Sequence, residues 1–84
     1  KERVVALWVF KNDKIAGWST DTLPAAVGIY FPIRGFGETV GVFAYQPKYP
    51  RPLTISEMNF LQTVNQQVGV YVQRALTREK VRSN

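Results

Sequence analysis

From Thr54 to about Arg82 the chain offers one uninterrupted helical pattern, and among 84 residues that single element decides most of the architecture. Its start is marked by Thr54-Ile55-Ser56-Glu57, a capping box with a hydroxyl at the N-cap and a carboxylate three residues on. Apolar residues then recur at Leu61, Val64, Val68, Tyr71 and Ala75, spaced 3-4-3-4. About 28 residues at ~1.5 Å each give a rod of roughly 42 Å. A compact chain of this size has a radius of gyration near ~12 Å, so the helix is expected to outrun the body. Its last two turns, Thr77 to Asn84, are nearly all polar, and the next position of the stripe is Arg78. The projecting end therefore needs a partner or a continuation of the chain. That makes Leu61, Val64, Val68, Tyr71 and Ala75 the candidate dimerisation or signalling seam. Gly69, inside this helix, costs up to about 1 kcal/mol relative to alanine. Its presence implies close packing against another backbone.

Upstream, Pro47 to Pro52 places three prolines in six residues and reads as a rigid extended connector. Before it lies a β-hairpin. Val27 to Arg34 forms one strand and Thr39 to Gln46 the other, with Gly35-Phe36-Gly37-Glu38 between them supplying the positive φ of a tight turn. Pro32 has no N–H for a ladder, so its part of the strand belongs at an edge or a bulge. Alternation puts Val40, Val42 and Ala44 on one face and Gly41, Phe43 and Tyr45 on the other. The first segment, Glu2 to Lys11, is ambiguous. Val4, Leu7, Trp8 and Lys11 fit a helical template, yet Val4 to Phe10 is an unbroken apolar run that a buried strand would also show. Asn12-Asp13 stops whichever element it is.

Between these parts runs Ala16-Gly17-Trp18-Ser19-Thr20-Asp21-Thr22-Leu23-Pro24. It has the breakers of a loop together with Trp18 and Leu23, so it is expected to be packed rather than floppy. Trp18, Thr20, Asp21 and Thr22 offer hydroxyl and carboxylate oxygens beside an indole, and with Tyr30 they are the candidate ligand-binding residues. The functional reading is a lip that grips a small molecule or a cation over a pocket between sheet and helices. The structural reading is an Asx-turn, with Asp21 bonding the loop backbone and Trp18 covering the core. Tyr30, Phe31, Phe43 and Tyr45 likewise either line a pocket or simply pack.

Composition closes several routes. There is no histidine and no cysteine, which removes the usual nucleophile–base pairs, the commonest zinc ligands, disulfides and any phospho-accepting histidine within the chain. The absence of cysteine fits a reducing cytosolic setting. Glu2, Asp13, Asp21, Glu38, Glu57 and Glu79 show no metal-site or acid–base spacing, so no catalytic residue, metal or cofactor is assigned. The net charge of +5 is spread along the chain, clustering only at Arg74, Arg78, Lys80 and Arg82 with Glu79 among them. A basic helix C-terminus complements the macrodipole, and no groove-reading or base-stacking motif accompanies it, so nucleic acid is not the expected partner. Gly35-x-Gly37 lacks the strand–turn–helix setting of a phosphate loop. No apolar run reaches the ~20 residues of a membrane span. The chain begins at Lys1 without methionine and reads as one domain, 1–84, cut from a larger protein.

Taken in order, Leu7-Trp8-Val9-Phe10, the 16–24 segment, Ile29-Tyr30-Phe31-Pro32-Ile33, Val40-Gly41-Val42 and Leu61 through Arg74 resemble the GAF-type domain of bacterial Kdp potassium-sensor histidine kinases. Ala-Gly-x-x-Thr-Asp-Thr-Leu-Pro is the most specific part of the match; Gln66-Gln67 followed by Arg74-Ala75 is shared more loosely among GAF domains. The resemblance implies an α+β, GAF-like fold lacking one or two N-terminal strands, an antiparallel sheet packed by an N-terminal helix and a long C-terminal helix. It settles the first segment as a helix. It also implies a parent that is a membrane-embedded two-component kinase, with this domain on the cytoplasmic side of the inner membrane. The parent would act through a response regulator on potassium-transport genes, the kinase activity lying outside this chain, in which 54–82 is the connecting helix. A homodimer through that helix or through an exposed sheet edge is expected. Methionine-sulfoxide reduction and bilin attachment in GAF domains use cysteine, and Asn12-Asp13-Lys14 does not continue into the cyclic-nucleotide signature, so neither activity carries over. The alternatives are a ligand-free dimerisation module and a small-molecule-binding GAF domain of another signalling protein.

Overall fold

A three-stranded antiparallel sheet, in the order β1-β2-β3, is held between two helices of very unequal length. The computed structural model describes the backbone of residues 2–82 and the side chains of residues 2–78. The Glu79, Lys80 and Arg82 members of the basic cluster lie outside the described side chains. Chain order is α1 (Glu2–Asn12), β1 (Ala16–Gly17), β2 (Ile29–Gly35), β3 (Glu38–Tyr45) and α2 (Ile55–Arg82).

The period of two along the hairpin sorts its side chains between the helices. Tyr30 and Val42 pack with Val5, Val9, Ala16 and Ala26 under α1, with Trp8 at the margin. Ile29, Phe31 and Phe43 pack with Leu61 and Met58 under α2, and the Phe31 and Phe43 rings stand 5.9 Å apart across the β2–β3 ladder. Burying a side chain of this size stabilises the fold by about 1.5–3 kcal/mol. The facing expected for residues 41 to 45 holds. Val40 departs from it because a bulge falls beside Ile33 and Arg34, and its methyls lie next to Gly35 and Gln73.

Helix α1 is apolar on nearly every side, so periodicity alone does not choose its inner face. The structure buries Val5 and Val9, four residues apart, and leaves Val4 and Leu7 outside. Its C-terminus is closed by Asp13 at φ 56°, whose N–H bonds to the Val9 carbonyl at 2.9 Å. The Asp13 carboxylate also accepts the Thr39 hydroxyl at 2.6 Å and pairs with Arg34, tying the helix end to the hairpin. The hairpin closes through Phe36 and Gly37, both at positive φ, as a two-residue turn between twisted strands requires.

One expectation needs revision: the run that begins at Ala16 is not loop throughout. Ala16 and Gly17 form β1, paired with Tyr30 and Ile29. The apolar stripe on α2 divides by burial. Leu61 is core, Val64 and Val68 are half-buried, and Tyr71 and Ala75 are exposed, Tyr71 by 74%. A straight helix turns every 3.6 residues, so contact with the sheet drifts from Leu61 to Asn65, Gly69 and Gln73 while the 3-4-3-4 row rotates into solvent. The radius of gyration is 14.0 Å and the longest axis 48 Å, so α2 does outrun the body.

Candidate functional site

The loop after β1 is held by its own hydroxyl. Thr20 Oγ1 lies 2.8 Å from both the Gly17 and Thr22 carbonyls, and it accepts the Thr22 N–H at 3.2 Å. Backbone bonds from Gly17 N to Thr22 O and from Trp18 N to Gly28 O close the loop onto β2. Gly17 sits at φ 109°, and a Cβ there would lie 2.3 Å from the Gly28 carbonyl, so no larger residue fits. The pivot is thus Thr20, not the Asp21 of the expected Asx-turn; Asp21 is exposed and takes no part in these bonds. Both side chains suit such turns, and only the structure shows which one folds inward.

Trp18 and Ser19 reach across 33 and 34 residues of sequence to the proline connector. The indole Nε1 donates to the Arg51 carbonyl at 2.6 Å, and Ser19 Oγ accepts the Leu53 N–H at 3.0 Å. Beyond the connector, Thr54 and Glu57 form the capping box reciprocally, at 2.9 and 3.1 Å. Arg51 grips both Glu57 carboxylate oxygens. That guanidinium, followed by the Thr54 N–H, pulls the Glu57 carboxyl down to about 2. Loop, connector and first turn of α2 are therefore one hydrogen-bonded strap.

Tyr30 is placed elsewhere. Its ring lies against Gly17 at the base of the loop, but its hydroxyl donates to Glu2 at 2.6 Å. The same carboxylate accepts the Val27 and Gly28 N–H groups at 2.9 and 3.2 Å, anchoring the start of α1 to the segment entering β2. Burial first, then the bond to Glu2, pushes the Tyr30 phenol up to about 12. The Tyr30 bond and the Val27 N–H hold the Glu2 carboxyl below its usual value. Sequence reasoning missed Glu2 because its partners lie 25 to 28 residues away. Of the candidate ligand residues, Trp18, Thr20 and Thr22 share one loop and are occupied in holding it. A shallow apolar cavity of about 330 Å³ beside that loop is lined by Val4, Val5, Leu23, Pro24, Ala25 and Ala26 instead.

A second arrangement couples α2 to the sheet. Because β1 ends after two residues, β2 beyond Tyr30 has a free edge, and α2 runs along it. Asn65 Nδ2 donates to the Pro32 carbonyl at 2.9 Å. A Cβ on Gly69 would lie 2.8 Å from the Arg34 carbonyl, so the two backbones are in direct contact. Gln73 Oε1 accepts the Phe36 N–H at 3.1 Å. Residues 65, 69 and 73, about one helical turn apart, thus meet residues 32 and 34 of β2 and residue 36 in the turn that follows it. Proline fits here because this length of β2 has no strand on that side. A groove of about 750 Å³ flanks the row, between α2 and the Asp13–Ile15 segment. Among the described residues, no group of three or more His, Cys, Asp or Glu is placed to hold a metal ion, and no helix is long and apolar enough to cross a membrane.

Among solved structures, the GAF domain of the potassium sensor histidine kinase KdpD from Escherichia coli is similar to this chain. The match covers 96% of the chain with a TM-score of 0.75 and 27% sequence identity, and the chain spans 57% of that structure's length. No protein-family model matches, and no curated protein sequence matches. The fold is α+β and GAF-like, and the structural likeness falls on the domain that the residues themselves resemble.

Proposed function

We propose that this domain is the regulatory GAF-like element of a sensor histidine kinase, and that it passes a signal from the loop at residues 17–22 to α2 without performing phosphotransfer. The observation that carries this reading is the strap. Trp18 and Ser19 are bonded to the connector, and Arg51 in that connector is bonded to the cap of α2. A shift of the loop reaches the helix through hydrogen bonds rather than through slack chain. The row at residues 65, 69 and 73 then makes α2 move with the sheet. In the parent, α2 would lead on to a histidine-bearing dimerisation region outside these 84 residues. A change in its pitch or rotation would bias how two kinase cores meet. Potassium-dependent gene control through a response regulator, on the cytoplasmic side of the membrane, is the corresponding role for the whole protein. It rests on the likeness to the KdpD domain.

Amide-resolved NMR of the chain tests the relay. Trp18→Phe and Ser19→Ala should perturb amides at 51–57 and in the first turns of α2; changes confined to residues 17–22 refute it. Adding potassium, with sodium as the control, then separates a direct sensor from a pure relay. Potassium-selective, saturable shifts at Trp18 to Thr22 mark a sensor, and a flat response leaves the relay alone. A second reading is dimerisation through α2, favoured by the exposure of Tyr71 and Ala75 on the emerging seam. It predicts association that depends on protein concentration and is abolished by Tyr71→Glu.

A further inference from the structure

We propose that the outer face of α1 is a docking surface for an anionic lipid bilayer. Val4, Leu7 and Phe10 are 62%, 51% and 47% exposed, and their i, i+3, i+6 spacing sets them along one ridge. Exposed Arg3, Lys11 and Lys14 flank the ridge. No free carboxylate offsets these cations on α1 or at its end. Glu2 is turned onto Val27, Gly28 and Tyr30, and Asp13 is paired with Arg34. Leu23 and Val27, 39% and 52% exposed, widen the apolar area beside the helix. The shallow 330 Å³ cavity between Val4–Val5 and Leu23–Ala26 continues this apolar area. Helix α2 packs on the opposite face of the sheet and covers none of this.

The chemistry is that of an interfacial helix, with apolar side chains along the centre and cations at the margins to meet acidic headgroups. A convex ridge suits a plane. An acidic protein helix would have to bring a groove to receive it. The inference rests on α1 alone and does not depend on the kinase reading.

The chain has no cysteine, so Leu7→Cys carries a single environment-sensitive fluorophore. Ile55→Cys, at an 82% exposed position on α2, is the control. The probe at position 7 should blue-shift on phosphatidylcholine vesicles containing one-third phosphatidylglycerol and stay unchanged on phosphatidylcholine alone. At position 55 it should respond on neither. Each cation near such a surface strengthens association about fivefold, so Lys11→Gln with Lys14→Gln should weaken it roughly 25-fold. Lys48→Gln, on the connector and outside α1, should change it less than about twofold. All these positions are exposed, and far-UV circular dichroism checks that each variant is folded. Equal responses at 7 and 55, or an effect of Lys48→Gln as large as that of the double variant, would reduce the binding to bulk charge and overturn the proposal. So would a probe response at position 7 that grows with protein concentration in the absence of vesicles, which would assign the face to a second copy.

Discussion

Gly69→Ala sets two large and opposite effects against each other. Inside a helix, alanine is favoured over glycine by about 1 kcal/mol. If α2 were held only by its own hydrogen bonds and its apolar side chains, the variant would gain that much. The added Cβ, however, would stand 2.8 Å from the Arg34 carbonyl. That oxygen belongs to the backbone of β2 and cannot swing aside as a side chain would. Either the helix lifts or the strand bends, and overpacking of this kind costs about 1–3 kcal/mol. Lifting the helix also lengthens the neighbouring bonds from Asn65 to Pro32 and from Phe36 to Gln73, each contributing about 1 kcal/mol. The expected net result is a loss of about 1–2 kcal/mol, or a Tm lower by roughly 5–15 °C for a domain of this size. Urea unfolding followed by tryptophan fluorescence and circular dichroism measures it, with Gln67→Ala at an exposed position of the same helix as the propensity control. A Gly69→Ala variant more stable than wild type by the full propensity gain would refute the claim that α2 and β2 touch backbone to backbone.

Other outcomes follow from the same contacts. The folded Glu57 carboxyl lies near 2 against an ordinary 4.5, so its contribution is complete above about 4.5 and lost as pH falls towards 2. Acid titration of the unfolding free energy should show that decline, and Arg51→Gln should flatten it. For Tyr30 the phenol is raised from 10.0 to about 12, so its contribution is full below 10 and disappears as pH climbs towards 12. Spectrophotometric titration should find one phenol ionising near 12 that Tyr30→Phe removes, with a stability loss of about 1–2 kcal/mol at neutral pH from the missing bond to Glu2. Leu61→Ala should cost about 2–4 kcal/mol in thermal or urea unfolding, since it empties the contact with Ile29 and Phe31. Tyr71→Ala should stay within about 0.5 kcal/mol in the monomer; a large loss would mean that Tyr71 is packed.

What could be read from the residues was whatever depends on near neighbours. The capping box at Thr54 and Glu57, a turn within residues 35–38, the inward and outward facing of residues 41 to 45 and the length of α2 are set by spacings of a few residues and appear in the structure. The positive φ falls on Phe36 and Gly37, however, rather than on the two glycines, and Gly35 stays in β2. Close packing at Gly69 was also legible, because glycine in a helix has few other reasons to be there. Long-range pairings were not. The two residues of β1 become a strand only through Tyr30 and Ile29, and nothing local distinguishes them from loop. Glu2 is one of six carboxylates without site spacing, and its partners lie 25 to 28 residues away. Asn65 and Gln73 carry no periodic signal of their own, since helical periodicity shows in apolar stripes, whereas here two amides and a glycine make the contact. Trp18 was singled out for its oddness, but its partner, a carbonyl in the proline connector, has no signature in sequence.

The row along α2 also works as a vernier. Four helical residues advance about 6.0 Å while two strand residues advance about 6.6 Å, so successive contacts slip by roughly 0.6 Å. Over the span from Asn65 to Gln73 the mismatch is tolerable, and each tooth still finds its notch. One further step would exhaust the tolerance, and there the strand has already turned back at Phe36 and Gly37. The rest of α2 is released from the sheet at that point. A helix indexed in this way does not glide. Sliding it along the strand would break all three contacts together, so the motion that costs least is a pivot about them.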